Sequence, residues 1–111
     1  MNVNQSDVVL LPVPFSDQTA RKVRPAIVVS NDNLNSGSDD VILVPMTSVI
    51  KNVPYSVTVT QKNFVEGELI VTSRARADKI FTAHKSLIKM KIGKIKSNIL
   101  AEIKQEIMKT V

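Results

Sequence analysis

Short apolar runs, rich in β-branched residues and bounded by turn-forming residues, recur along most of the sequence. Continuous runs of this kind are typical of buried strands, and one further segment alternates strictly, which predicts a half-buried strand. The predicted strands are Val8–Leu11, Ala26–Val29, Val41–Val44, Ser56–Thr60, Leu69–Val71 after a Glu66-Gly67 turn, residues 75–82 and Met90–Ile95. Because turns rather than helices connect them, we predict a mainly β fold, a small antiparallel barrel of about five to seven strands.

One amphipathic helix is predicted at the end of the chain, over about residues 98–110. Its apolar positions recur at helical spacing: Ile99, Leu100, Ile103 and Ile107. Ser97 and Asn98 are both suitable N-cap residues. The apolar stripe is expected to cover one open side of the barrel, whereas residues 31–40 predict a turn or a single helical turn.

The length and composition exclude several classes of protein and of site. A chain of 111 residues with 43% hydrophobic residues fits one folded domain, residues 1–111. With no cysteine and one histidine, disulfides, thiolate zinc sites, cysteine nucleophiles and multi-histidine sites within one chain are excluded. We expect His84 to be a surface or capping residue, and Asp39 and Asp40 to face solvent. No signal peptide or membrane-spanning run is found, which predicts a cytoplasmic protein.

The net charge of +5 is distributed unevenly along the chain. Residues 1–73 contain five basic and seven acidic residues, whereas residues 74–111 contain ten basic and three acidic residues. A basic half suggests a polyanion or an acidic protein as partner. A solvated, lysine-rich surface that aids solubility is the alternative, and charge alone does not decide between them.

Residues that can handle a phosphodiester lie at the ends of the predicted strands. Arg24 lies at the entrance to the second predicted strand, and Thr47 and Ser48 lie at the exit of the third. Arg74, Arg76 and Asp78 are spaced by two, so all three are expected on one face of a strand. Two guanidinium groups and a carboxylate on one face can bind and polarise a phosphodiester. The alternative is an exposed strand face with an Arg76–Asp78 ion pair of little energetic value.

RNA can be cleaved without a metal when the adjacent 2′-hydroxyl is the nucleophile. Such a site needs a base for that hydroxyl, cationic donors for the phosphorane oxygens and an acid for the leaving 5′-oxygen. Asp78, Arg24 or Arg76, and the hydroxyl of Thr47 could fill these roles without histidine. DNA lacks the 2′-hydroxyl, so the site would be specific for RNA.

Five short motifs occur in an order that resembles the MazF/PemK (Kid-like) toxins of type II toxin–antitoxin systems. They are Ser6–Leu10, Pro14–Asp17, Arg24–Asn31, Val41–Ser48 and Arg76–Thr82. The resemblance runs from about Asp7 to the final helix. It implies a homodimer of SH3-like barrels that acts as a metal-independent endoribonuclease on single-stranded RNA, without a cofactor. The expected products carry a 2′,3′-cyclic phosphate and a 5′-hydroxyl, and the implied protein partner is an acidic antitoxin.

The resemblance also assigns residues. The family's catalytic arginine and threonine fall on Arg24 and Thr47, and the PemK-like branch adds Arg76 and Asp78 as acid and base. The predicted RNA-binding residues are Asp7, Gln18, Arg21, Lys22, Ser48, Arg74 and Lys79. The sequence departs from the family in the loop before Arg24, which offers no histidine, so the family's proton-transfer assignment does not carry over intact.

Two other functions are compatible with the same barrel. One is a non-enzymatic toxin that grips DNA gyrase, a mode that relies in this family on an aromatic residue near the C-terminus; this chain has no tryptophan and ends Met108-Lys109-Thr110-Val111. The other is a plain RNA-binding barrel, which fits the basic half of the chain. An aromatic content of 4% supplies few stacking platforms for that role.

Overall fold

The strands pair antiparallel into a curled half-barrel in the computed structural model, which describes residues 2–14, 21–48 and 51–111. The described strands are β1 (Asp7–Pro14), β2 (Arg21–Val28), β3 (Asp40–Thr47), β4 (Ser56–Val59), β5 (Phe64–Gly67), β6 (Ser73–Arg76), β7 (Phe81–His84) and β8 (Met90–Ile95). The helices are α1 (Asp32–Gly37) and α2 (Ser97–Lys109), with 3-10 turns at Gln61–Asn63, Ala77–Lys79 and Lys85–Leu87. Along the sheet the order is β4-β6-β3-β2-β1-β8-β5, and β7 pairs with β3. The predicted mainly β barrel with a C-terminal helix is confirmed, with eight strands rather than five to seven.

The strand predicted at Leu69–Val71 is wrong. The predicted Glu66-Gly67 turn is wrong as well, because both residues belong to β5, which pairs with β8. Gln61 occupies the backbone groups that a strand partner needs: its side-chain oxygen accepts the Leu69 N–H at 2.6 Å, and its amide donates to the Gly67 carbonyl at 3.1 Å. Leu69 packs against the core, whereas Ile70 is 93% exposed, so this segment is a loop despite its β-branched residues.

The single strand predicted over residues 75–82 is divided into β6 and β7 by the 3-10 turn Ala77–Lys79. The Ala77 N–H donates to the Tyr55 carbonyl at 2.9 Å, and Ala77 is fully buried. The two halves then pair with different parts of β3, β6 with Met46 and Thr47 and β7 with residues 40–43. Asp78 therefore does not continue the strand of Arg74 and Arg76, contrary to the prediction from spacing.

Apolar residues pack on both faces of the curled sheet. One cluster includes Val8, Ile27, Val44 and Met46 and is covered by α2, whereas the other includes Val9, Leu11, Val28 and Leu43 on the opposite face. Adjacent residues of one strand point to opposite faces, which explains why both members of each apolar doublet are buried. The sheet therefore carries an apolar cluster on each face, and the polar site residues lie near the ends of its strands.

Helix α2 packs against β4 and against the 3-10 turn Ala77–Lys79. Ile99, Leu100 and Ile103 are buried and Ile107 is partly buried, as the helical spacing predicts. The N-cap is Lys96, which makes no side-chain capping bond, rather than Ser97 or Asn98. In the described parts of the chain, no helix is both long and apolar enough to cross a membrane.

Helix α1 is the single helical turn predicted between the second and third strands. The Asn31 side chain caps it by accepting the Leu34 N–H at 2.9 Å. The buried Asn35 amide donates to the Ser30 carbonyl, and the Ser30 hydroxyl also accepts the Ile42 N–H at 3.0 Å. These bonds fix α1 to the start of β3.

Candidate active site

Three predicted site residues lie in one row across neighbouring strands. Thr47 at the end of β3 is the direct partner of Arg74 on β6. On the other side of β3, β2 pairs through Ala26 with Pro45, and Arg24 lies two residues before Ala26 on the same face of β2, towards the end of β3 that carries Thr47. Side chains of directly opposite residues have Cβ atoms about 5 Å apart on the same face of a sheet. Arg24, Thr47 and Arg74 therefore form a continuous polar row at the edge of the apolar core.

Arg76 and Asp78 form a two-pronged ion pair at the end of β6. The Arg76 Nε donates to Asp78 Oδ1 at 3.0 Å, and the Arg76 Nη2 donates to Asp78 Oδ2 at 2.8 Å. The hydrogen bond from Arg76 is the largest influence on Asp78 and lowers the pKa of its carboxyl below the usual value of 3.8. The side chains remain 24% and 29% exposed, so the ion pair is accessible to a ligand and its carboxylate is ionised at neutral pH.

Arg74 is oriented by two residues that the sequence interpretation missed. Its Nη1 donates to the Ser56 hydroxyl at 3.0 Å, and its Nη2 donates to Asn52 Oδ1 at 3.4 Å. Ser56 lies opposite Arg76 in the β4–β6 ladder and donates its own hydroxyl to the Val53 carbonyl at 2.6 Å. The signal that could have found Ser56 is the strict alternation of the predicted fourth strand, whose polar residues share one face.

Three further predicted binding residues lie at the margin of this row. Lys22 precedes Arg24 by two residues on β2, so it belongs to the same face of that strand. Lys79 directly follows Asp78, and its charge contributes to the lowered pKa of that carboxyl. Ser48 follows β3 directly. All three are exposed, as a surface that meets a polyanion requires.

The structure does not bring Asp7 or Arg21 into the row. Asp7 is 1% exposed, and its Oδ2 accepts the Asn4 N–H at 2.9 Å. Arg21 lines a different cleft, beside Pro12, Pro14 and residues 81–84. Gln18 lies outside the described residues. The predicted RNA-binding set is thus divided between residues beside the row, residues remote from it and one residue whose position is not described.

Asp7 belongs instead to a charged cluster that joins three strands. The Lys91 Nζ of β8 lies 3.1 Å from Asp7 Oδ1 of β1 and 3.1 Å from Glu66 Oε1 of β5. The hydrogen bond with Glu66, followed by that with Asp7, raises the pKa of Lys91 above its usual 10.5. Asp7 therefore anchors the ladder between β1 and β8.

A mainly apolar cleft of about 400 Å³ lies beside the row. Its floor includes Leu10, Pro25 and Met46, which point to the face opposite Thr47 and Arg74, and the loop Leu69–Val71 forms one wall. Arg24 and Lys22 line its rim. The cleft and the polar row thus meet in the first half of β2.

The structure gives His84 a capping role and shows no metal-binding group among the residues that it describes. The His84 Nδ1 accepts the Ser86 N–H at 3.1 Å and lies 2.8 Å from the Ser86 hydroxyl, so His84 is a capping residue, as predicted. Within the described ranges, no three histidine, cysteine, aspartate or glutamate side chains form a group that could hold a metal ion.

Solved structures share this fold at low sequence identity. An endoribonuclease in complex with its cognate antitoxin, from a mycobacterial species, superposes with a TM-score of 0.77 at 18% identity over 97% of this chain and 93% of that chain. A MazE–MazF complex from Deinococcus radiodurans gives a TM-score of 0.78 at 22% identity, over 98% and 95% of the two chains. The Mycobacterium tuberculosis toxin MazF-mt6 gives 0.71 at 16% identity, over 92% and 94%.

Comparison with protein-family models agrees with the structural likeness. No curated protein sequence matches the chain significantly. The family model described as the PemK-like, MazF-like toxin of type II toxin–antitoxin systems matches residues 4–111. That match includes Arg24, Thr47, Arg74 and the Arg76–Asp78 pair. The chain belongs to the PemK-like, MazF-like family of type II toxin–antitoxin toxins.

Proposed function

We propose that this toxin is a metal-independent endoribonuclease that cleaves single-stranded RNA through attack of the 2′-hydroxyl. The observation that carries the proposal is the row of Arg24, Thr47 and Arg74, which ends beside the exposed Arg76–Asp78 pair. A cationic row next to an ionised carboxylate offers both phosphate binding and a proton acceptor. Solved relatives named as endoribonucleases share the fold and add support.

Asp78 is the general base in this proposal. Its carboxylate is ionised at neutral pH and can accept the proton of the 2′-hydroxyl, and the Arg76 hydrogen bonds that lower its pKa orient it while making it a weaker base. The resulting oxyanion attacks phosphorus, forms the 2′,3′-cyclic phosphate and displaces the 5′-oxygen. The same lowered pKa makes Asp78 a poor source for the proton that the 5′-oxygen needs, so we assign that proton to solvent.

The arginines and Thr47 stabilise the transition state. Guanidinium groups keep their protons at all ordinary pH values and therefore act by charge and hydrogen bonding. Arg74 lies opposite Thr47 and Arg24 lies on the neighbouring β2 at the same end of the sheet, so a phosphate at the row can receive donors from both arginines and from the threonine hydroxyl. Donors placed where negative charge develops contribute about 10²–10³-fold each to the rate of comparable reactions.

The direct test is incubation of the purified protein with single-stranded RNA in EDTA. We expect fragments that end in 2′,3′-cyclic phosphate and begin with 5′-hydroxyl, and no cleavage of the matching single-stranded DNA. The variants Arg24→Ala, Thr47→Ala and Asp78→Asn should each lose at least about 10²-fold in rate.

Lys104→Ala is the matched control, because Lys104 is exposed on α2, outside the row. It should cleave like the wild-type protein. RNA binding without cleavage would support the plain RNA-binding barrel instead, and capture of DNA gyrase without cleavage would support the gyrase-binding toxin. Sequencing the 5′ ends of the fragments gives the recognised motif.

We also propose that an acidic antitoxin segment inhibits the toxin by covering this surface. The complexes of relatives with their antitoxins support it, as do the exposed cations Lys22 and Lys79 beside the row. A homodimer in the cytoplasm, each subunit one domain, completes the proposal. Titration with an acidic peptide should inhibit cleavage, and light scattering should give twice the mass of the 12.2 kDa chain.

A further inference from the structure

Tyr55 is an exposed aromatic residue beside the Arg76–Asp78 pair that the proposed mechanism does not use. It directly precedes β4 and is 42% exposed. Val57 and Val59, two and four residues further along, are buried on one face of β4. Continuing that alternation would bury Tyr55 as well, but its backbone has a φ of +58° and the chain turns there. The turn therefore presents an aromatic ring to solvent at this end of β4.

A positive φ is unfavourable for a residue with a Cβ atom, and aromatic residues rarely adopt it. Glycine or asparagine would occupy the same turn without strain. Strained backbone of this kind is retained where the surrounding structure fixes it, often at ligand-binding sites. The backbone of Tyr55 is held by a hydrogen bond of 2.9 Å, in which the Ala77 N–H donates to the Tyr55 carbonyl. That bond ties Tyr55 to the turn that carries Asp78.

The neighbours of Tyr55 are phosphate-binding groups. Ser56, the next residue, lies opposite Arg76 and holds the guanidinium of Arg74. Proteins that bind single-stranded nucleic acid combine cations that follow the backbone with aromatic side chains on which the bases stack. An exposed aromatic residue next in the chain to Ser56, which contacts Arg74 and lies opposite Arg76, matches that arrangement, and stacking needs no particular base because every base has a π-face.

We propose that Tyr55 forms a stacking subsite for an unpaired base next to the phosphate that the arginine row binds. The subsite rests on the proposed RNA substrate and adds a base-binding element to it. Loss of one base–aromatic stack weakens binding by roughly 5- to 150-fold. The hydroxyl is not required, since stacking uses the ring.

Tyrosine fluorescence tests the proposal directly, because the chain contains one tyrosine and no tryptophan. A single-stranded 2′-O-methyl RNA, which lacks the nucleophile and is not cleaved, should quench the emission of the wild-type protein as it binds. An oligonucleotide with abasic units in place of its nucleotides keeps the phosphates and should leave the emission almost unchanged. Equal quenching by both would overturn the stacking subsite.

The variants separate stacking from the shape of the backbone. Tyr55→Phe should bind the 2′-O-methyl RNA within about twofold of the wild type, whereas Tyr55→Leu and Tyr55→Gly should bind roughly 5- to 150-fold more weakly. Tyr55→Gly relieves the positive φ, so its melting temperature should equal or exceed that of the wild type and misfolding does not explain its weak binding. Wild-type affinity in Tyr55→Leu and Tyr55→Gly would overturn this subsite while leaving RNA cleavage intact. Failure of the wild-type protein to bind or cleave RNA would overturn the proposed function as well.

Discussion

At the scale of single residues, the most informative contact is the pairing of Arg76 with Asp78. Their spacing in the sequence suggested a shared strand face, but the chain turns at Ala77 and the two side chains still meet through two hydrogen bonds. Sequence spacing alone could not decide whether Arg76 and Asp78 bind a phosphodiester or form an exposed ion pair with no function. The position of Arg74 on the same face of β6, two residues before Arg76, favours the first interpretation, because it places a second cation beside the ionised carboxylate.

The titration of Asp78 should depend on Arg76. By carboxyl NMR of the wild-type protein, the midpoint for Asp78 should lie below 3.8, and Arg76→Gln should raise it towards that value. Since the pKa is lower in the folded than in the unfolded chain, the pair stabilises the fold at pH values above about 4 and the contribution is lost as the pH falls through the lowered pKa. Lys104→Gln should leave the titration unchanged, and an unchanged midpoint in Arg76→Gln would contradict the assigned cause.

Removal of Lys91 should lower the stability of the fold, because it leaves the buried Asp7 carboxylate without a neighbouring cation. Lys91→Ala leaves that carboxylate with its backbone partner but without its cation, so we expect the free energy of unfolding to fall by about 2 kcal/mol. The loss is smaller than for a fully buried pair because Lys91 is 37% exposed and water screens it. Lys89→Ala, an exposed neighbour on the same chain segment, should change the urea midpoint very little. Equal effects of the two variants would show that the cluster does not anchor the sheet.

At the scale of elements, the apolar runs of the early strands and the helical spacing of α2 were sufficient to predict their positions. The two strand predictions that were wrong, at Leu69–Val71 and at residues 75–82, failed for local physical reasons. Leu69–Val71 has strand composition, but the Gln61 side chain accepts the backbone N–H of Leu69, and composition does not reveal a side-chain contact across eight residues. Residues 75–82 have strand composition too, but burial of Ala77 under α2 and its bond to Tyr55 bend the chain.

The contact between β5 and β8 depends on a glycine. A Cβ atom added to Gly93 would lie 2.6 Å from Cε2 of Phe64 and 2.7 Å from the Glu66 carbonyl oxygen. The Glu66 oxygen belongs to the backbone and cannot rotate away, so Gly93→Ala should lower the free energy of unfolding by about 1–3 kcal/mol.

Gly37→Ala is the matched control for that substitution. No heavy atom lies within 4 Å of a Cβ added at Gly37, so this variant should be neutral or stabilised by up to about 1 kcal/mol. Thermal or urea unfolding measures the stability of both variants. Equal stability of the two variants would show that β5 and β8 can separate to admit a methyl group.

At the scale of the whole molecule, the fold joins the two differently charged halves of the chain. Arg24 and Thr47 come from the acidic half, and Arg74, Arg76 and Asp78 come from the start of the basic half. Pairing of β3 with both β2 and β6 makes them neighbours. The sequence suggested the candidate site residues, but it could not predict this non-local pairing, which depends on how the apolar faces pack.

Salt should weaken RNA binding in proportion to the phosphates that the protein contacts. For single strands, the logarithm of the binding constant falls with a slope of about 0.7 per contact against the logarithm of salt concentration. Arg74→Ala should therefore reduce the slope by about 0.7, whereas Lys104→Ala should leave it unchanged. An identical slope in Arg74→Ala and the wild-type protein would exclude Arg74 from phosphate contact.

The position of α2 after all the described strands has a consequence for biosynthesis. A ribosome releases the N-terminal strands first, and domains complete folding only when their last required element has emerged. Here that element is the helix that covers one apolar face and supports the turn of Asp78. We therefore expect a ribosome-bound chain to lack an assembled candidate site until α2 has emerged from the ribosome.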